Sequence, residues 1–170
     1  MVFGFSLLLA ACGSSAATKS ADGVLLTPPG PRPSTSALMV CSHEASIKFA
    51  SALGVTGVIT DRRYVQHLYS CVVRYRGASF MLKMKELGSN AEVRSYFGAL
   101  RSSMQGTQPV ADLGDASFQA ANGDLVVRKG WGVLSVDVAG LPPTFGVPPS
   151  KRADIAYTIA YVIVKCWSGA

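Results

Sequence analysis

The chain has 170 residues, a formal net charge of +6 at pH 7, and 49% hydrophobic against 15% charged residues. That length suits one domain with a full core. The positive residues are scattered, as Arg62-Arg63, Arg74, Arg76, Lys83, Lys85, Arg128-Lys129 and Lys151-Arg152. No run is as dense as a nucleic-acid arm, so no nucleic-acid partner is expected, and the basic balance fits a solvated surface near an anionic membrane.

Residues 1–11 are an apolar run without a charge, closing on Leu8-Leu9-Ala10-Ala11-Cys12. The run is too short to span a bilayer, which takes about twenty residues, and fits the apolar region of a secretory signal. No Lys or Arg precedes it, where such signals carry positive charge. Two small residues before a cysteine resemble the bacterial lipobox. In signals of that family a peptidase cuts before the cysteine, and the sulfur receives a diacylglyceryl group. The resemblance implies a signal peptide over 1–11, lipidation of Cys12, and attachment through it to the extracytoplasmic face of the cell membrane. Residues 12–37 then read as a tether, with small polar residues first and Pro28-Pro29-Gly30-Pro31-Arg32-Pro33 later. No later segment has the length of a transmembrane helix; the best, 155–164, contains Tyr157, Thr158 and Tyr161.

The folded domain is expected over 38–170. Residues 42–53 predict a helix, with an imperfect apolar stripe of Ala45, Ile47, Phe49, Ala50 and Leu53, and Gly54 to end it. A polar stretch follows over 56–66. Two alternating runs, 69–76 and 78–85, flank Arg76-Gly77 and predict a β-hairpin. Ser89 and Glu92 make a capping box, and Val93, Tyr96, Phe97, Leu100 and Met104 give the following helix one apolar face. Short strands are expected over 108–113 and 116–120, with a turn at Asn122-Gly123. A second hairpin is expected from 125–128 and 133–138 around Gly130-Trp131-Gly132. A Pro/Gly-rich loop over 140–149 leads to a last helix beginning near residue 150, with Ile155, Ile159, Val162 and Cys166 on one face. Hairpins without regular strand–helix alternation indicate an α+β fold: a single antiparallel sheet of about five to seven strands packed by three helices.

Sites of chemistry are sparse. The chain lacks the Gly-x-Ser-x-Gly, His-Glu-x-x-His, Ser-x-x-Lys and phosphate-loop motifs. It has two histidines, His43 and His67, and no Cys-x-x-Cys, so no metal or cofactor is expected. Either histidine could still join a spatial triad. Asp112 and Asp115 read as turn residues that bond their own backbone. Trp131, at a hairpin tip, is a candidate partner contact, against the alternative of a ring folded onto the sheet. Tyr157 and Tyr161, one helical turn apart, read as a packing edge.

Several segments together carry a further resemblance: Leu113-Gly114-Asp115-Ala116-Ser117-Phe118, then Asn122-Gly123-Asp124-Leu125-Val126-Val127-Arg128-Lys129-Gly130, then Val133-Leu134-Ser135-Val136-Asp137-Val138, and an Ala-rich last helix. They resemble small actinobacterial lipoproteins of unknown function, of the mycobacterial Lpp and Lpr type, and the broader PsbP-like α/β sandwich group. The likeness covers roughly 38–167, and its motifs are structural. This chain departs from it at Ser117, Trp131 and Cys166. The resemblance implies a disulfide between Cys41 and Cys71. Cys71 shares a strand face with Tyr69 and Val73, and Cys41 starts a helix that packs on a sheet face. Cys71–Cys166 is the rival pairing, and in the first case Cys166 is expected to be a buried, inert thiol. The expected role is a non-enzymatic binding or accessory module of the cell envelope, meeting an unknown protein or small-molecule ligand. The alternatives are a cell-envelope hydrolase or transferase with an unrecognised site, or a small-molecule or lipid carrier.

Overall fold

The computed structural model describes residues 30–167; the apolar run, Cys12 and the first part of the tether lie outside the described residues. Serines start the first two helices. Ser34 Oγ accepts the Ala37 N–H at 3.1 Å to open α1, Thr35–Val40, and Ser42 Oγ accepts the Ala45 N–H at 3.1 Å to open α2, His43–Leu53. Gly54, at φ 67°, ends α2 in the left-handed region. The helix α1 corrects the sequence reading, which carried the tether through residue 37: the prolines stop at Pro33, and Ser34 caps a helix directly after them.

Three strands come next, β1 (Val58–Val65), β2 (Leu68–Tyr75) and β3 (Ala78–Glu86), then α3 (Asn90–Ser103). The rest is β4 (Gln108–Pro109), β5 (Ala116–Gln119), β6 (Leu125–Lys129), β7 (Gly132–Asp137), β8 (Thr144–Phe145), β9 (Ser150–Lys151) and α4 (Arg152–Cys166). Seven strands form one sheet in the order β1-β2-β3-β7-β6-β5-β4, antiparallel throughout; β8 and β9 pair separately. The α+β class and the antiparallel sheet are as expected, with a fourth helix. The strand β1 corrects the reading of 56–66 as a polar stretch. Only Ile59 is buried along it, a bulge at Asp61–Arg62 breaks the alternation, and the turn to β2 is Gln66-His67. Both turn residues have positive φ, the geometry usually signalled by Asn-Gly.

Alternation along each strand sorts the side chains into two cores. Tyr69, Cys71, Val73, Phe80, Leu82, Met84, Leu125, Val127, Leu134 and Val136 face α1, α2 and α4. Phe49 of α2 meets Phe80 edge-on at 5.7 Å between ring centres. On the opposite face α3 sets Val93 against Phe118, Val126 and Val133, and Phe97 against Phe118 at 5.1 Å. Phe97 and Leu100 are half-buried rather than buried, because a single helix lies on that face. Glu92, expected to close the capping box on Ser89, accepts the Gly88 N–H at 2.9 Å, while Ser89 Oγ accepts the Glu92 N–H at 3.2 Å.

Of the basic residues at the start of α4, Arg152 has a backbone partner. The Arg152 guanidinium donates to the Leu141 carbonyl at 2.6 Å, and Asp154 supplies the acidic residue of the first turn. At the other end Lys129 Nζ donates to the Val164 carbonyl at 3.0 Å and to that of Trp167, where a helix favours a cation. Gly132 on β7 lets this end of α4 close, since a Cβ there would overlap Met84 and the Trp167 ring.

The disulfide joins Cys41 to Cys71, with Cα atoms 6.1 Å apart. It ties the α1–α2 junction to the second strand and closes 30 residues of chain. Replacing both cysteines with alanine is expected to cost about 3–4 kcal/mol in the chain-entropy account, read as a lower urea midpoint.

Tyr75 supplies a pH dependence. Its ring packs on Phe80 and Phe145, at 6.0 and 4.8 Å between centres, and burial pushes its phenol up to about 12. The folded state therefore keeps its proton where the unfolded chain, at about 10, has lost it. This contribution is full below about pH 10 and is lost as pH rises toward about 12. Among the described residues the hydroxyl has no hydrogen-bond partner. Tyr75→Phe is expected to hold or raise stability at pH 7 and to remove part of the alkaline decline, measured by urea unfolding at stepped pH.

Candidate functional site

Along the outer edge of β1 the sheet meets α2 across an open groove of about 480 Å³, lined by His43, Ser46, Ile47, Ala50, Val58 and Arg62 among others. Its geometry begins with α2, which buries Ala45, Phe49 and Leu53 at i, i+4 and i+8. Ile47 lies off that stripe and is 56% exposed. Val58, starting β1, is 64% exposed. Two large apolar side chains thus stand in solvent on opposite walls of one depression. Ser46 Oγ, donating to the Gly57 carbonyl at 3.3 Å, bridges the walls.

The bulge in β1 shapes the far end. Asp61 takes φ 53° and its carboxylate accepts from Arg74 at 2.6 Å; the Arg74 and then the Thr60 hydrogen bonds hold that carboxyl below its ordinary value. The next residue, Arg62, turns to the helix side, and its Nε donates to the Cys41 carbonyl at 3.1 Å. The guanidinium is thereby anchored at the groove's rim, beside the disulfide. Sequence reasoning missed Ile47 and Arg62 as site residues. The signal was there for Ile47, as an apolar residue out of phase with its helix; for Arg62 there was none, because the bulge sets its direction.

His43 lines this groove, whereas His67 sits at the opposite end of β1. There Tyr64 Oη and His67 Nδ1 are 3.1 Å apart, and the rings meet edge-on. Burial, then the nearby Glu86 carboxylate, push the Tyr64 phenol above its ordinary value. Glu86 is itself buried and accepts the Ser34 N–H at 3.2 Å, and Tyr64 Oη donates to the Gly30 carbonyl at 3.3 Å. Ser34's hydroxyl is engaged in capping α1. This polar cluster fastens the incoming chain to the sheet, and among the described residues the histidine's bonded neighbour is a phenol rather than a nucleophilic Ser or Cys.

The remaining candidates lie elsewhere on the fold. The Asp115 carboxylate accepts the Gly130 N–H at 2.8 Å, in the β6–β7 turn rather than in its own turn as expected, and Asp112 is exposed at φ 57°. Trp131 is half-buried against the α3 cluster, so its ring lies on the sheet. Tyr157 and Tyr161 are 37% and 39% exposed and stacked at 6.1 Å, with Lys165 Nζ 4.6 Å from the Tyr161 ring, so they form a surface ladder rather than a packing edge. Cys166 is half-buried, where a buried thiol was expected, and lies 2.8 Å from Lys48 Nζ. Among the described residues no group of three or more His, Cys, Asp and Glu could hold a metal, and no helix is long and apolar enough to cross a membrane.

Glu86→Ala would leave the Ser34 N–H without its carboxylate. The expected result is faster amide exchange over 34–40 with β3 and β7 unchanged, at a cost of about 1–3 kcal/mol for the orphaned group, followed by hydrogen-exchange mass spectrometry.

No protein-family model matches the chain, and neither does any curated protein or solved structure.

Proposed function

We propose that the chain is an exported lipoprotein of the small actinobacterial type, held on the outer face of the cell membrane through Cys12. Its folded domain serves as a non-enzymatic binding or accessory module of the cell envelope. The groove between α2 and β1 is its binding surface, and the occupant is a short extended apolar segment of a partner protein. The observation that carries this reading is the pair of exposed apolar residues, Ile47 and Val58, on the two walls beside a strand edge that is unpaired among the described residues. An extended segment can hydrogen-bond to such an edge while its side chains fill the groove. The Cys41–Cys71 bridge supports an oxidising, extracytoplasmic setting.

Two variants and one probe test this in the producing cells. Cys12→Ser is expected to lose the acyl mass and membrane retention; unchanged mass and partition would remove the anchoring half of the reading. A photo-crosslinking residue at position 47 is expected to capture a protein neighbour, and Val58→Asp to abolish that capture while leaving the urea midpoint intact. Capture that persists at full yield in Val58→Asp would place the partner elsewhere.

A further inference from the structure

Cys166 ends α4, and Lys48 lies on α2, facing it. Lys48 Nζ is 2.8 Å from Cys166 Sγ, and Glu44 Oε1, one turn earlier on α2, holds the same nitrogen at 2.9 Å. Sulfur is larger than oxygen, yet this N···S separation is that of an ordinary N–H···O bond, about 2.9 Å. Met39, Ala45, Val162 and Ile163 wall the pair with apolar surface, around space of about 10 Å³. Cys166 is half-buried, so its sulfur has both a path to solvent and a fixed neighbour. A cation beside a thiol favours the thiolate, which is the form that oxidants attack. The Cys41–Cys71 bridge indicates that the fold forms where thiols meet an oxidant.

We infer that Lys48 and Cys166 are the two ends of a redox-closed cross-link, in which dioxygen joins the lysine amine and the cysteine thiol through one bridging oxygen. Counted from the neutral thiol and amine, to which the thiolate–ammonium pair is related by one proton transfer, one S–H and one N–H bond break, the O–O bond breaks, and one S–O and one O–N bond form. The second oxygen leaves as water with the two hydrogens. Dioxygen takes four electrons, two from sulfur and two from nitrogen. Two equivalents of dithiothreitol reverse the step, returning amine, thiol and one water and ending as cyclic disulfides. The closed form staples the last turn of α4 to α2, which is contiguous with the Cys41 end of the disulfide. The open form leaves that junction to side-chain packing. The chemistry requires this lysine in particular, because the bridge consumes its amine; a sulfenic acid formed on Cys166 alone would instead be capped by a thiol or oxidised further.

The test uses the full chain, purified without oxygen and then divided between anaerobic and air-saturated buffer. In air, the intact mass is expected to rise by one oxygen less two hydrogens relative to the anaerobic sample. The Cys166 thiol should be lost to alkylation. Tryptic mapping should show one branched peptide holding Lys48 and Cys166, uncut after Lys48, and dithiothreitol should return both normal peptides. Lys48→Arg keeps a cation beside the sulfur and cannot form the bridge. It is expected to keep the Cys41–Cys71 bridge and lose the mass shift. An unchanged mass in air overturns the inference. Oxygen on Cys166 alone with normal cleavage after Lys48 overturns it, as does the same mass shift in Lys48→Arg.

Discussion

The pairing of β3 with β7 is the contact on which the rest of the structure depends. It joins two meanders, β1-β2-β3 and β4-β5-β6-β7, which share no other strand pairing. Six registered positions, from Met81 opposite Asp137 to Glu86 opposite Gly132, set Leu82 and Met84 beside Val136 and Leu134. A slip of one residue would turn all of these to the wrong face. With the register in place, α1, α2 and α4 find a continuous apolar floor and α3 finds another on the reverse side. The connection from β3 to the far edge of the sheet runs through α3, which explains why that helix alone covers the second face.

Edges carry the consequences of this topology. β4 ends the sheet on one side with two residues, a very short edge. β1 ends it on the other with eight, and its centre is broken by a bulge and the charges Asp61, Arg62 and Arg63. Charges and a bulge protect an edge strand from indiscriminate pairing. They leave the start of β1, at the exposed Val58, as the part of this edge without charge or bulge. The same bulge sends Arg62 to the Cys41 carbonyl, so the groove, the disulfide and the helix junction form one mechanical unit. In the binding role proposed above, walls already positioned by the helix junction would not have to be ordered on binding.

The cluster around His67 ties the incoming chain to the sheet through polar side chains. His67 lies next to Tyr64, and Glu86 is close by, which are residue types that active sites use. Each has a contact within the fold. Glu86 takes the Ser34 N–H, Tyr64 binds the Gly30 carbonyl, and His67 forms the turn into β2. A buried carboxylate costs stability unless bonded, and here the incoming chain supplies the bond.

Much of the architecture was legible in the sequence by itself, because local periodicity reports burial. The 69–85 hairpin, the capped α3 helix, the β6–β7 hairpin and α4 follow from alternation, caps and helical spacing, and the pairing of Cys41 with Cys71 followed from resemblance and strand phase. Tertiary structure alone decided what periodicity does not encode. The strand β1 has one buried residue and a Gln-His turn, so only its pairing with β2 makes it a strand. Arg62's direction depends on the bulge, and Ile47 becomes a groove wall only because β1 lies across from it. Lys48 and Cys166, 118 residues apart, meet because α2 and α4 pack on the same sheet face. Contacts of that kind arise from packing at long sequence separation, where a residue's neighbours along the chain carry no information about its neighbours in space.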